Sequence, residues 1–178
     1  MHKPAIPLIH IIGLPGAGKT TLAQRLSEVL KIPILCIGRH RAKFPKTAIG
    51  EADAWVALFR ELSRHEWKNC ILESTGLNSR EGFLRSALPF GQIATIKLEA
   101  SYKTLFRRIG RKKKKNQGSQ WFYSEAYHDK YEFVRKNFKN FSKVHADCYI
   151  NTNRLSSIEV FHKALKEINS IWEIMTDE

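Results

Sequence analysis

The sequence predicts an α/β domain, a three-layer sandwich with a five-stranded parallel sheet between two layers of helices. Three observations carry that prediction. Short apolar runs alternate with longer stretches whose apolar residues recur at three- and four-residue steps, as in β-α-β units. A glycine-rich turn, "GLPGAGKTT" from Gly13 to Thr21, joins the first apolar run to the first amphipathic stretch. The length of 178 residues suits a single domain, residues 1–178, with a sizeable core.

The elements follow in order. Leu8–Ile12 reads as a buried first strand. The turn after it satisfies G-x-x-x-x-G-K-[ST] through Gly13, Gly18, Lys19 and Thr20. Glycines here let successive N–H groups turn inward around phosphate oxygens, and the helix from Thr20 to Leu30 adds the positive end of its dipole. Lys19 is expected to reach the β- and γ-phosphates of ATP, or equally of GTP, and the Thr20 hydroxyl to sit on Mg²⁺. Pro15, Gly16, Ala17 and Thr21 complete the cradle. Leu22, Leu26, Val29 and Leu30 give that helix its apolar stripe.

Ile34–Ile37 is the second strand, followed by the basic segment "GRHRAKFPK". "EADAWVALFRELSRHE" sets Trp55, Leu58, Phe59 and Leu62 on one helical face. The third strand, Cys70–Glu73, runs into "STGLNSR", and the fourth, Ile93–Glu99, into the helix "SYKTLFRRIGRK". "RKKKKNQGSQ" reads as a loop. "SEAYHDKYEFVRKNFKNF" is helical, with Tyr127, Tyr131, Val134, Phe138 and Phe141 inward. After a fifth strand, Cys148–Ile150, Ser156 and Glu159 form a capping box for a last helix with the stripe Ile158, Phe161, Leu165, Ile168 and Trp172.

Composition sets limits. A hydrophobic content of 43% and a charged content of 26% are ordinary for a soluble chain, and no apolar run approaches a membrane span. Cys36, Cys70 and Cys148 are far apart and odd in number, so they read as buried hydrophobes in a reducing compartment, which places the protein in the cytoplasm without a cleaved leader. The seven histidines show no ligand spacing, so no structural metal is assigned. The net charge of +13, with seven basic residues in nine over 107–115, favours phosphate-rich partners.

Taken together, "GLPGAGKTT", "GRHR", "ILESTGLNSR", the arginine-bearing helix and "ADCYINTNRLS" resemble the small P-loop kinases, a group that spans nucleoside monophosphate, shikimate, gluconate and polynucleotide 5′-hydroxyl kinases and zeta-toxin-like kinases. The resemblance implies a P-loop NTPase sheet with a lid, here at about 104–124, and a single enzymatic domain that uses ATP and Mg²⁺. It implies that Arg107 and Arg111, one helical turn apart, clamp the transferring phosphate, and that Asn153 and Arg154 frame the adenine. It places the acceptor between "GRHRAKFPK" and "STGLNSR", with Arg39, Arg41, Asn78 and Arg80 as contacts. Such a basic wall suits a phosphate-bearing acceptor: a nucleoside, a nucleotide or a nucleic-acid 5′ end. A zeta-toxin-like or antibiotic-modifying kinase acting on a nucleotide sugar or small alcohol is the alternative, and a regulatory ATPase without an acceptor is a third reading.

The sequence departs from the family at one point. Many of these kinases carry an aspartate after the second strand, and here Gly38 or Arg39 stands there. Glu73 is the candidate to accept the hydroxyl proton or to hold Mg²⁺ through water. His40 is a second candidate, and Glu51 and Asp53 a third.

Overall fold

The structure, a computed structural model, describes residues 6–77, 92–115 and 129–176, with the backbone alone for 112–115 and 173–176. In chain order its elements are β1 (Leu8–Gly13), α1 (Lys19–Leu30), β2 (Ile34–Cys36), α2 (Ile37–Arg41), α3 (Ala48–Arg64), β3 (Ile71–Ser74), β4 (Ile93–Glu99), α4 (Tyr102–Lys115), α5 (Lys130–Ser142), β5 (Cys148–Asn151) and α6 (Ser157–Thr176). The strands form one sheet in the order β2-β3-β1-β4-β5, and every pair is parallel.

Every residue of β1 is buried because both faces of the sheet are covered. Ile9 and Ile11 face a core shared with Leu22, Leu26, Leu105, Val134 and Ile168, while Leu8 joins Leu35, Trp55, Leu58, Leu62 and Leu72 on the other side. The three layers follow from this alternation. Successive β1 side chains enter opposite cores, as the pleat requires.

The first two strands to follow β1 in the chain, β2 and β3, lie on one side of it, and β4 and β5 lie on the other. That switch opens a cleft outside the carboxyl ends of the strands. Glu73 stands beside Ile11 and Cys36 in register, and Gly13 stands beside Leu98, so the edge of this cleft is set by strand pairing.

Local signals behave as their chemistry dictates. Thr47 caps α3 by accepting the Gly50 N–H at 3.1 Å, and Asp129 caps α5 by accepting the Glu132 N–H at 2.8 Å. The capping box before α6 is present in both directions, Ser156 N to Glu159 Oε2 at 2.7 Å and Glu159 N to Ser156 Oγ at 3.3 Å.

Several details differ from the sequence expectation. The segment after β2 is not extended, since Ile37 to Arg41 form the short helix α2. The lysine run expected in a loop continues α4 as far as Lys115, because neither glycine nor proline stops it there. The inward stripe of α6 is Val160, Ala164 and Ile168, leaving Ile158 53% exposed. Val29 is also turned out, at 56% exposure. β4 buries a lysine completely: Lys97 Nζ lies 2.9 Å from Glu99 Oε1, donates to the Ser142 carbonyl at 3.2 Å and sits 4.8 Å from the Phe141 ring centre, which ties the end of α5 to the sheet.

Candidate active site

The loop between β1 and α1 is shaped by two glycines with positive φ, Gly16 at 85° and Gly18 at 105°. A Cβ on Gly16 would come within 2.9 Å of the Leu105 carbonyl oxygen, so this position also sets how closely α4 approaches the loop. At Gly13 a Cβ would meet Ala17 and the Leu98 carbonyl oxygen, both at 3.1 Å. Pro15 and Ala17 are buried beneath the turn, which is closed by the Ala17 N–H donating to the Leu14 carbonyl at 3.1 Å.

Lys19 opens α1 and turns back over the loop, its Nζ 3.5 Å from the Leu14 carbonyl oxygen. Thr20 and Thr21 are exposed at the cleft. The Thr20 hydroxyl donates to Glu73 Oε1 at 2.8 Å. Residues 53 positions apart thus put a hydroxyl and a carboxylate side by side at the mouth of the loop.

Beside the loop lies a cavity of about 270 Å³, lined by Gly16, Gly18, Thr21, Arg108, Arg111, Thr152 and Leu155 among others. Arg108 is its central cation. One Nη1 contact reaches the Gly16 carbonyl at 3.4 Å and another Thr152 Oγ1 at 2.9 Å, while Nη2 donates to the Thr152 carbonyl at 2.6 Å. Burial, and then the charge of Arg107, lower the pKa of this guanidinium, which stays charged at any physiological pH. The Thr152 hydroxyl donates in turn to the carbonyls of Glu99 and Ala17, at 3.1 and 3.4 Å.

The expected clamp pair is divided. Arg111 lines the cavity, whereas Arg107 is exposed away from it. The inward arginine, Arg108, was missed by sequence reasoning, although its position three residues after the buried Leu105 carried the signal. Thr152 and Leu155 were missed as well. Asn153 is employed in holding two turns together, its Oδ1 accepting the Ser101 N–H at 2.8 Å, and Arg154 is exposed.

On the opposite side of the cleft two residues of the basic segment are paired with carboxylates of α3. Arg41 is bidentate to Glu51, Nε to Oε2 at 2.7 Å and Nη2 to Oε1 at 2.5 Å, and the Trp55 indole donates to the same Glu51 oxygen at 2.9 Å. His40 is 7% exposed with Nε2 2.8 Å from Glu61 Oε2, so its ring joins α2 to α3. Arg39 remains exposed, with one contact at 3.5 Å to the Ile34 carbonyl. Asp53 is exposed on α3. Asn78 and Arg80 lie outside the described residues, as do Tyr127 and the expected lid from 116 onward.

Cys36 ends β2 beside Glu73. Burial first and the Glu73 carboxylate second raise its pKa, against the N–H groups of Gly38 and Arg39 and the charge of Lys19, so a neutral thiol stands on this side of the carboxylate.

The residues fit a Mg²⁺–nucleotide. A hydroxyl and a carboxylate are hard oxygen donors, and no group of three histidine, cysteine or acidic side chains suited to a metal occurs among the described residues. That set suits an ion that takes most of its ligands from phosphate and water.

Comparison with known proteins agrees with this geometry. A gluconokinase from Sinorhizobium meliloti 1021 superposes with a TM-score of 0.69 at 14% identity, covering 98% of each chain. A shikimate kinase from Acinetobacter baumannii, solved in complex with shikimate, gives 0.63 at 19% identity over 93% of this chain and 94% of its own. The shikimate kinase of Aquifex aeolicus gives 0.59 at 18%, over 91% and 96%. No curated protein matches the chain by sequence. The fold is thus that of the small P-loop kinases. A family model described as an AAA domain matches residues 9–128, from β1 through the loop, Glu73 and Arg108, and with that span the chain belongs to the AAA domain family.

Proposed function

We propose that the protein is a kinase that moves the γ-phosphate of ATP to a hydroxyl group of a small phosphate-bearing acceptor, such as a nucleotide. The observation that carries this reading is the Thr20–Glu73 hydrogen bond at the mouth of the phosphate loop. It puts a carboxylate against Thr20, the residue after Lys19, where a γ-phosphate held by the loop would lie.

In this reading the loop N–H groups and Lys19 hold the β- and γ-phosphates, and Arg111 meets the developing charge from the cavity rim. Arg108 forms the wall of the nucleoside cavity. Thr20 and Glu73 would hold Mg²⁺, and the ion, when bound, would neutralise phosphate charge. Glu73 also serves as acceptor of the hydroxyl proton, since its carboxylate stands against Thr20 at the phosphate loop. Arg39 supplies the positive charge that recognises the acceptor's phosphate. The gluconokinase and shikimate kinase names of two neighbours support transfer to a small molecule.

The test is transfer of radiolabel from γ-labelled ATP with Mg²⁺ to a panel of nucleosides, nucleotides, sugar acids and a 5′-hydroxyl oligonucleotide. Label in a nucleotide supports the reading. Label in a nucleoside, a sugar acid or the oligonucleotide alone replaces the acceptor class. Acceptor-independent release of phosphate, with no labelled product, leaves a regulatory ATPase instead.

A further inference from the structure

The outer face of α4 and α5 carries charge that, Arg111 apart, phosphoryl transfer does not use. α4 presents Lys103, Arg107 and Arg111 at four-residue steps, and α5 presents Arg135 and Lys139, with Lys143 at its C-cap, at the same step; all six are exposed. Four residues of helix rise by about 6 Å, so each set is a row of cations at that interval. α4 contains no acidic residue. The acidic residue of α5 is Glu132, whose carboxylate takes Lys136 Nζ at 3.0 Å. No carboxylate among the described residues forms an ion pair with any of the six.

Between the rows the two helices meet along an aromatic seam. Tyr102 stacks on Phe106 with ring centres 4.3 Å apart and meets Phe138 edge-on at 5.6 Å, while Phe106 lies 5.0 Å from Tyr131. Pairing of 102 with 138 and of 106 with 131 makes the helices antiparallel. Lys103 and Arg107 follow the two α4 rings by one residue, and Arg135 and Lys139 adjoin Tyr131 and Phe138, so both rows border the seam. Tyr102, at its end, keeps 37% of its surface exposed.

The geometry points to a binding surface for single-stranded nucleic acid on α4 and α5, with two rows of cations for backbone phosphates and Tyr102 between them for a base. A single strand uses both features, because its phosphates release counterions on meeting lysine and arginine and its bases stack on aromatic rings. A lipid surface or an acidic polypeptide would use the cations and leave the tyrosine without a role. The net charge of +13 draws a polyanion from a distance. This surface is independent of phosphoryl transfer, since only Arg111 is shared with the cleft.

The experiment is fluorescence anisotropy of a short, labelled, 5′-phosphorylated single strand over a salt series, with no ATP present. The blocked 5′ end keeps this result separate from any kinase activity. Replacing Arg135, Lys139 and Lys143 with glutamine should flatten the slope of log K against log salt by about 2, at about 0.7 per charge. Tyr102→Ala should weaken binding about ten-fold, while Tyr102→Phe keeps it. ATP binding by the triple variant confirms its fold, because those residues lie outside the cleft. An unchanged slope overturns the proposal. So does tighter binding of a duplex than of the single strand, or equal competition by polyglutamate or by phosphatidylserine vesicles at matched charge.

Discussion

The two sides of the cleft are both rich in polar residues, yet they spend them differently. On the donor side Lys19, Thr20, Glu73 and Arg111 face the opening, and Arg108 braces its wall. On the acceptor side Arg41 and Glu51 close on each other, and His40 closes on Glu61. A row of basic residues in a sequence therefore does not by itself make a binding wall. What matters is whether the fold delivers a carboxylate to each.

Substitutions can break this comparison or sharpen it. The largest effect is expected at Lys19→Ala, which should lower phosphoryl transfer about a thousand-fold and weaken ATP binding, measured by turnover and calorimetry. If ATP binding were unchanged, the donor side would have been misplaced. Glu73→Gln should cut kcat by about 10²–10⁴ with ATP affinity retained, because the amide keeps the Thr20 contact but cannot take a proton. Unaltered kcat would remove Glu73 from the chemistry.

Arg108→Ala removes three hydrogen bonds and should raise the ATP Kd about ten-fold, with a lower Tm. A lower Tm with no change in Kd would reduce Arg108 to a brace. On the acceptor side Arg41→Ala should cost about 2 kcal/mol of stability through the stranded Glu51, and leave the KM for the acceptor within about two-fold. A large rise in KM without loss of stability would show that the ion pair opens for substrate, and the contrast between the two sides would fall. The smallest effect is expected at Arg154→Ala, where an exposed side chain outside the cavity lining should leave Kd nearly unchanged.

The thiols extend the contrast to pH. Burial raises Cys70 from an ordinary 9.0 to about 12 and Cys148 to about 11, with nearby carboxylates adding to both shifts. The folded state holds these protons above the pH at which the unfolded chain releases them. Their contribution to stability is therefore full below about pH 9 and is lost as pH rises towards 11 and 12. A denaturation series at alkaline pH should show this decline, and Cys70→Ala should make it shallower. An equally steep decline in that variant would assign it to other groups.

Much of the molecule could be read from local sequence. Each of the five strands falls within two residues of its expected ends, and the capping box at Ser156 and Glu159 forms as written. The phosphate loop is legible for the same reason: its shape depends on glycines at fixed steps between a strand and a helix, and all of them lie within nine residues.

The site beyond the loop was less legible. Arg107 and Arg108 are neighbours of identical chemistry, and only the docking of α4 on the loop selects the second, through the Gly16 carbonyl 92 positions away. Arg41 was expected to meet substrate, and its partner Glu51 was expected at a helix start; α2 and α3 pack so that each satisfies the other. Sequence alone determined the five strands and the phosphate loop, because propensity, capping and periodicity act over a few residues. The tertiary structure decided which charges remain available, because a charged side chain's partner is chosen only when distant elements meet.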